Sequence, residues 1–212
     1  MLLFDFFRRH PMSQMPTTPR APREAPDYTS MPSPSAREDA LAQAVGRKAS
    51  TLFSRRKLLC AEAILVAVNE TFGEPLTEEQ AVGIAAGLTA GLGDRGCLCG
   101  AIAGACLAVA AVCSQGGHAG IRAAVRRESA AIHEAFTARY KSACCRVLTK
   151  PVKDDAKAHA AQCAQLTGTG AELAVRAILR LRPELLDCPE AAARTEGRLC
   201  GRVKWLLSFF CR

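Results

Sequence analysis

The residues best suited to chemistry in this sequence are its cysteines. A cysteine serves either as a small buried apolar side chain or, once ionised, as a nucleophile and metal ligand. Thiol redox chemistry and metal binding are therefore the first two kinds of activity to consider. The 212-residue chain has eleven cysteines: Cys60, Cys97, Cys99, Cys106, Cys113, Cys144, Cys145, Cys163, Cys188, Cys200 and Cys211.

Cys99 has the surroundings that most favour a reactive thiolate. It lies in a glycine-rich run from Gly91 to Gly104, at the point where a helix is predicted to begin. Free N–H groups and the helix dipole favour negative charge there, and Arg95 adds a cation nearby. We therefore expect a lowered pKa for the Cys99 thiol. Gly100 leaves the backbone open to the approach of a partner group.

Some of the other cysteines have simpler interpretations. Cys97 lies two residues before Cys99, and both sulfurs share one side only if the backbone is extended. That spacing suits chelation better than a disulfide, and a second cysteine without a role is an equally good interpretation. Cys106 and Cys113 are on one helical face and are predicted core residues. Cys144 is either a spare ligand or has no role.

The elements that must position these thiols are predicted to be helices. Apolar residues recur at steps of three and four from about residue 36 to 72, with an optional break near Ser54. A capping box at Thr77 opens the next helix. Further helices are predicted at 78–90, 98–114, 119–141, 154–166, 170–181 and 190–210. No strand pattern is visible.

The predicted fold class is all-α: a compact helical bundle of about five to six helices around a buried Ala/Gly/Cys-rich central helix. Seven prolines between residues 10 and 36 indicate a disordered N-terminal arm. The predicted organisation is an arm over 1–36, a helical cysteine-rich domain over 37–185 and a C-terminal helical tail over 186–212. Aromatic residues are only 5% of the chain, which favours closely packed helices over sheets.

The composition also indicates which kinds of partner and which cellular location to expect. The net charge is +8, but the basic residues are scattered and form no nucleic-acid motif, so no nucleic-acid partner is expected. Residues 96–121 carry no Lys, Arg, Asp or Glu, yet small side chains dominate them. A buried helix is therefore favoured over a membrane span. No secretory leader is evident, and a reducing cytoplasmic location is expected.

The cysteine motifs together resemble a known family. Residues 99–104, Cys-Gly-Ala-Ile-Ala-Gly, resemble the signature of the redox-active proteins named for their C-GCAxxG-C-C pattern. Cys60, in Cys-Ala-Glu-Ala-Ile-Leu, resembles the first cysteine of that pattern. Cys145, in Cys-Arg-Val-Leu, resembles the third and is preferred to Cys144. Cys163 resembles the last, and the resemblance extends over about residues 45–180.

The resemblance implies one site in which Cys60, Cys99, Cys145 and Cys163 are catalytic thiols or metal ligands. Four thiolates suit an iron–sulfur cluster or zinc, whereas two pairs suit thiol–disulfide exchange without a cofactor. The residues expected around a bound cofactor are Gly91, Gly93, Arg95, Gly100 and Gly104.

The expected function is electron transfer or thiol–disulfide exchange with a redox partner protein, an oxidoreductase. The alternatives are a structural zinc or metal-trafficking protein without turnover, and a helical interaction module with cysteines in its core. Whether the chain is an enzyme stays open, as does the oligomeric state, with a homodimer as one option.

Overall fold

This computed structural model describes residues 35–114 and 120–187 of the chain. Within these ranges it contains eight α-helical segments. They are α1 (Ala36–Ser54), α2 (Cys60–Thr71), α3 (Glu78–Ala86), α4 (Thr89–Leu92), α5 (Gly100–Cys113), α6 (Ile121–Tyr140), α7 (Cys145–Thr149) and α8 (Ala156–Leu181). Short 3₁₀ segments follow at Lys150–Val152 and Pro183–Leu186. Over these ranges the all-α prediction is confirmed, and six of the helices have nine or more residues.

The helices begin where the sequence provides caps. The Ser35 hydroxyl accepts a hydrogen bond from the backbone N–H of Glu38 at 3.2 Å, so α1 begins at Ala36. Thr77 caps α3 in the same way through Gln80, as predicted. The break near Ser54 is real, since α1 ends there and α2 begins at Cys60. The arm before residue 35 and the predicted helix at 190–210 lie outside the described residues.

The central helix is α5, whose small side chains let its neighbours approach closely. Most of its residues are buried, and it packs against α2, α6 and α8. A Cβ atom at Gly104 would lie 2.7 Å from the Cα atom of Ala61 in α2. A Cβ atom at Gly170 in α8 would lie 2.5 Å from the carbonyl oxygen of Ala101. The prediction of a buried helix rich in small residues is thus confirmed.

Two predicted boundaries are wrong. The sequence predicts two helices over 154–166 and 170–181, but α8 runs unbroken from Ala156 to Leu181. Gly168 and Gly170 do not interrupt it, because they are buried contact points against α1 and α5. The helix predicted at 78–90 ends at Ala86, because the next residues enter a tight turn beside the cysteines.

A few polar contacts join the helices. Glu128 of α6 is buried and accepts hydrogen bonds at 3.0 and 2.6 Å from the guanidinium of Arg180 in α8. The Asn69 amide binds both the N–H and the carbonyl of Leu76, which holds the loop between α2 and α3. Within the described ranges, no helix is long and apolar enough to cross a membrane.

Candidate functional site

The structure brings four cysteines from four different elements to one end of the bundle. Cys60 is the first residue of α2, Cys99 is the N-cap of α5, Cys145 is the first residue of α7, and Cys163 lies in α8. Their thiols are close enough that negative charge on Cys60 raises the pKa of each of the other three. This is the set that the family resemblance implies. All four are free thiols, and Cys99 is only 4% exposed.

Gly100 makes room for the Cys60 sulfur. A Cβ atom at position 100 would collide with that Sγ atom and would lie 3.0 Å from the carbonyl oxygen of Leu88. Because Gly100 directly follows Cys99, this contact places the Cys60 sulfur beside the start of α5. The absence of a side chain at this position is therefore what lets the two thiols approach.

A left-handed turn lies against the Cys60 thiol. All five residues from Ala90 to Asp94 have a positive φ, between 50° and 73°. Three of these residues are not glycine, and each costs about 1–2 kcal/mol in this conformation. The turn directs the backbone N–H of Ala90 to the sulfur of Cys60, which also accepts from the N–H of Ala61. Backbone strain of this kind concentrates at functional sites.

A short antiparallel pairing joins the segment that carries Cys99 to the segment that carries Cys145. Leu98 and Cys144 form an isolated bridge. The N–H of Cys99 donates to the carbonyl of Ala143 at 2.8 Å, and the N–H of Cys145 donates to the carbonyl of Cys97 at 2.6 Å. These bonds attach the start of α5 to the start of α7.

Burial dominates the electrostatics of the site. It raises the pKa of Cys99 to about 12, although the N–H of Ala101 lowers it, and the charges of Cys60, Cys145 and Cys163 raise it further. Burial, followed by the charges of Cys145 and Cys60, raises the pKa of Cys163 to about 11. Burial and the charge of Cys60 likewise raise the pKa of Cys145.

The expectation of a lowered Cys99 pKa is therefore wrong. The helix start does supply an N–H donor that stabilises the thiolate. The loss of hydration on burial destabilises the thiolate more than this hydrogen bond stabilises it. Burial also raises the pKa of Cys60, and three backbone N–H groups, those of Ala90, Ala61 and Cys60 itself, counteract it.

Only some of the residues expected around a cofactor lie beside the clustered thiols. A Cβ atom at Gly91 would lie 2.7 Å from the Cβ of Cys145 and 2.8 Å from the backbone nitrogen of Cys97, so Gly91 belongs to the site. Gly104 contacts the backbone of α2 instead of a thiol. Gly93 and Arg95 are exposed, and the Arg95 carbonyl accepts from the guanidinium of Arg146 at 2.6 Å.

Four thiols are a donor set that zinc and iron–sulfur clusters take. Over residues 35–114 and 120–187, however, no group of three or more His, Cys, Asp or Glu side chains is placed to hold a metal ion. The described arrangement therefore does not match a preformed metal centre.

The remaining described cysteines divide between the core and the rim of the site. Cys113 is fully buried, and half-buried Cys106 packs against the core, as predicted. Half-buried Cys144 donates its S–H to the carbonyl of Gly96 at 3.2 Å, whereas Cys97 is exposed. Cys188, Cys200 and Cys211 lie outside the described residues.

Sequence reasoning missed the left-handed turn and the position of Cys97. Glycines at 91, 93 and 96 signal an unusual backbone, but nothing local marks Ala90, Leu92 or Asp94 as left-handed. The register that sets Cys97 opposite Cys145 joins segments almost fifty residues apart, so local spacing does not reveal it.

One comparison with known proteins gives a match. The family model described as "Putative redox-active protein (C_GCAxxG_C_C)" matches residues 58–177, more than half of the chain. This range contains the four clustered cysteines together with the turn and the antiparallel pairing that position them. No curated protein and no solved structure matches.

Proposed function

The chain belongs to the C_GCAxxG_C_C family of putative redox-active proteins, and we propose that it works by thiol–disulfide exchange at Cys60 and Cys99. The observation that carries the proposal is the contact at Gly100, which sets the Cys60 sulfur against the start of α5, beside Cys99. Cys145 and Cys163 complete the thiol cluster. We place this chemistry in a reducing, cytoplasmic compartment, where such thiols stay reduced until an oxidant arrives.

Cys60 is the attacking thiol in this scheme. Its thiolate receives hydrogen bonds from the N–H groups of Ala90 and Ala61. It attacks one sulfur of an incoming disulfide, forms a mixed disulfide and releases the other sulfur as a thiolate, which takes up a proton. Cys99 loses its proton and displaces the second sulfur, leaving a Cys60–Cys99 disulfide. Two electrons pass to the incoming disulfide, which becomes two thiols.

The high pKa of Cys99 suits the second step. A thiol that stays protonated does not compete for the incoming disulfide, and attack by Cys60 precedes its own. Burial of Cys99 also excludes bulky reagents, which limits its reaction to a sulfur already attached to Cys60.

The proposed oxidant or reductant is a disulfide or dithiol on a partner protein, an oxidoreductase. Exposed apolar side chains lie within two residues of three site cysteines in the sequence: Leu59 is 50% exposed, Leu98 is 44% exposed and Val147 is 56% exposed. Exposed apolar surface beside a reactive group favours contact with another protein.

The test is a redox titration of the full chain in glutathione buffers, followed by alkylation and mass spectrometry. We expect a Cys60–Cys99 disulfide that forms in one two-electron transition and is abolished in C60S. C106S is the matched control, since this half-buried thiol lies outside the site and its loss leaves the transition unchanged.

Elemental analysis and a visible spectrum of anaerobically purified protein complete the test. Stoichiometric zinc, or the colour and iron of a cluster, lost on replacing Cys99 with Ser, would contradict the exchange proposal in favour of a metal site. A full titration without any Cys60–Cys99 disulfide would contradict it as well.

A further inference from the structure

Cys99 is almost fully buried and Cys60 is half-buried, which restricts how a partner's disulfide approaches this pair. Cys99 is 4% exposed, and Ala90 of the left-handed turn contacts the Cys60 sulfur through its backbone N–H. Attack on a disulfide needs the sulfur to approach along the S–S axis, which demands space at both ends. A more exposed thiol beside this pair gives a partner's disulfide a more open point of attack.

Cys97 is the exposed thiol beside the site. It precedes buried Cys99 by two residues and follows Gly96, whose φ is 67°. It lies directly opposite Cys145 in the antiparallel pairing, because the N–H of Cys145 donates to the carbonyl of Cys97 at 2.6 Å. A Cβ atom at Gly91 would lie 2.7 Å from the Cβ of Cys145 and 2.8 Å from the backbone nitrogen of Cys97, so the two cysteines are close neighbours. Disulfides span Cα separations of about 4.4–6.8 Å, and this approach of the two backbones is compatible with a bridge.

Cys145 in turn reaches the inner thiols. Gly91 lies against both the Cys145 Cβ and the backbone of Cys97, and a side chain at position 91 would collide with both. Negative charge on Cys60 raises the pKa of Cys145, which shows that these two thiols are close. Exposed Cys97, half-buried Cys145 and the inner pair thus form a path from the surface to the interior.

We propose that Cys97 and Cys145 form an outer dithiol that takes up a partner's disulfide at the surface and passes it to Cys60 and Cys99. This inference rests on the proposed exchange function and adds the route by which the oxidising equivalent enters. It assigns a role to Cys97, which lies outside the set of four cysteines implied by the family resemblance.

Each step of this route is a thiol–disulfide exchange. The Cys97 thiolate attacks the partner's disulfide and releases one partner thiol. Cys145 displaces the second, which gives a Cys97–Cys145 disulfide and a reduced partner. Cys60 attacks the Cys145 sulfur and releases Cys97, and Cys99 then displaces Cys145 from Cys60. The inner dithiol is oxidised by two electrons, the partner's disulfide is reduced by the same two, and the two protons of the inner thiols end on the partner.

The experiment follows oxidation of the full reduced chain by oxidised glutathione, quenched by acid and mapped by fragment-resolved mass spectrometry. We expect C97S to form the Cys60–Cys99 disulfide at least about tenfold more slowly than the wild type, while its equilibrium with a glutathione buffer stays the same. In C145S, which lacks the second outer thiol, glutathione is expected to accumulate on Cys97. C106S is the matched control, because Cys106 is a half-buried thiol of α5 that packs against the core outside the site.

The outcomes separate the two proposals. A wild-type rate in C97S, or glutathione on Cys60 in place of Cys97 in C145S, would overturn the outer dithiol and leave inner exchange standing. If the wild type forms a Cys97–Cys145 disulfide but never a Cys60–Cys99 disulfide, the outer pair stands as an uptake site, and both the inner exchange and the transfer to it are refuted.

Discussion

Replacing Gly104 with Ala tests the helix contact that brings Cys60 to Cys99. A Cβ atom at position 104 would lie 2.7 Å from the Cα and 2.8 Å from the carbonyl oxygen of Ala61. Carbon atoms in contact prefer about 3.5–4.0 Å, so α2 and α5 must separate by about 1 Å. Both obstructing atoms belong to the backbone, and no change of rotamer relieves the clash.

The change that G104A makes to the free energy of unfolding is the sum of two opposing effects. Overpacking in a closely packed core costs about 1–3 kcal/mol. Alanine in place of glycine inside a helix returns about 1 kcal/mol. The net effect of G104A is a loss of about 0–2 kcal/mol in the free energy of unfolding, which makes G104A about 1–3 kcal/mol less stable than a variant that has only the gain. Gly83 is the matched control, since it lies in α3 and a Cβ atom added there would have nothing within 4 Å, so G83A keeps only the gain.

The assay is urea denaturation of the reduced full chain, with the redox titration of Cys60 and Cys99 run in parallel. We expect a lower midpoint for G104A, a higher one for G83A and a less stable inner disulfide in G104A alone. If G104A were as stable as G83A, the close approach of α2 and α5 would be refuted.

Three further predictions concern stability. N69A removes the amide that binds both backbone groups of Leu76 and is expected to cost about 2 kcal/mol, measured by urea denaturation; a change below about 0.5 kcal/mol would contradict this role. E128Q weakens the buried contact with Arg180 and is expected to lower the free energy of unfolding by about 2 kcal/mol, measured by urea denaturation. Salt screens a buried contact weakly, so the loss should persist in high salt; a loss that disappears there would contradict this role. The pKa of Cys99 is raised from 9.0 to about 12, so the folded chain retains a proton that the unfolded chain releases. Stability is therefore complete below the lower value and falls as the pH rises towards the upper one, by at most about 1.4 kcal/mol per pH unit for one thiol. Urea midpoints at about pH 8 and about pH 10 check this fall, and C99A should reduce it without removing it, because burial also raises the pKa of Cys163. An equal fall in C99A would contradict the contribution of Cys99.

Several features of the fold follow from short stretches of sequence. The capping boxes at Ser35 and Thr77 and the apolar spacing of α1 and α2 act within a few residues, and the helix starts agree with them. The glycines of α8 misled the prediction because the same residue breaks an exposed helix but permits a close contact in a buried one. Gly168 and Gly170 are of the second kind, and only their neighbours in α1 and α5 reveal it.

The sequence by itself determined the helical class, the small-residue central helix and the identity of the four clustered cysteines, because periodicity, caps and motif order are local properties. Only the tertiary structure decided how those thiols behave. Burial, which depends on the whole bundle, raises the pKa of Cys99 where its helix start alone predicts a lowered one. The left-handed turn at Ala90 and the register that sets Cys97 opposite Cys145 likewise depend on contacts between distant segments. Such contacts form only when the chain has folded, and they cannot be predicted from short stretches of sequence.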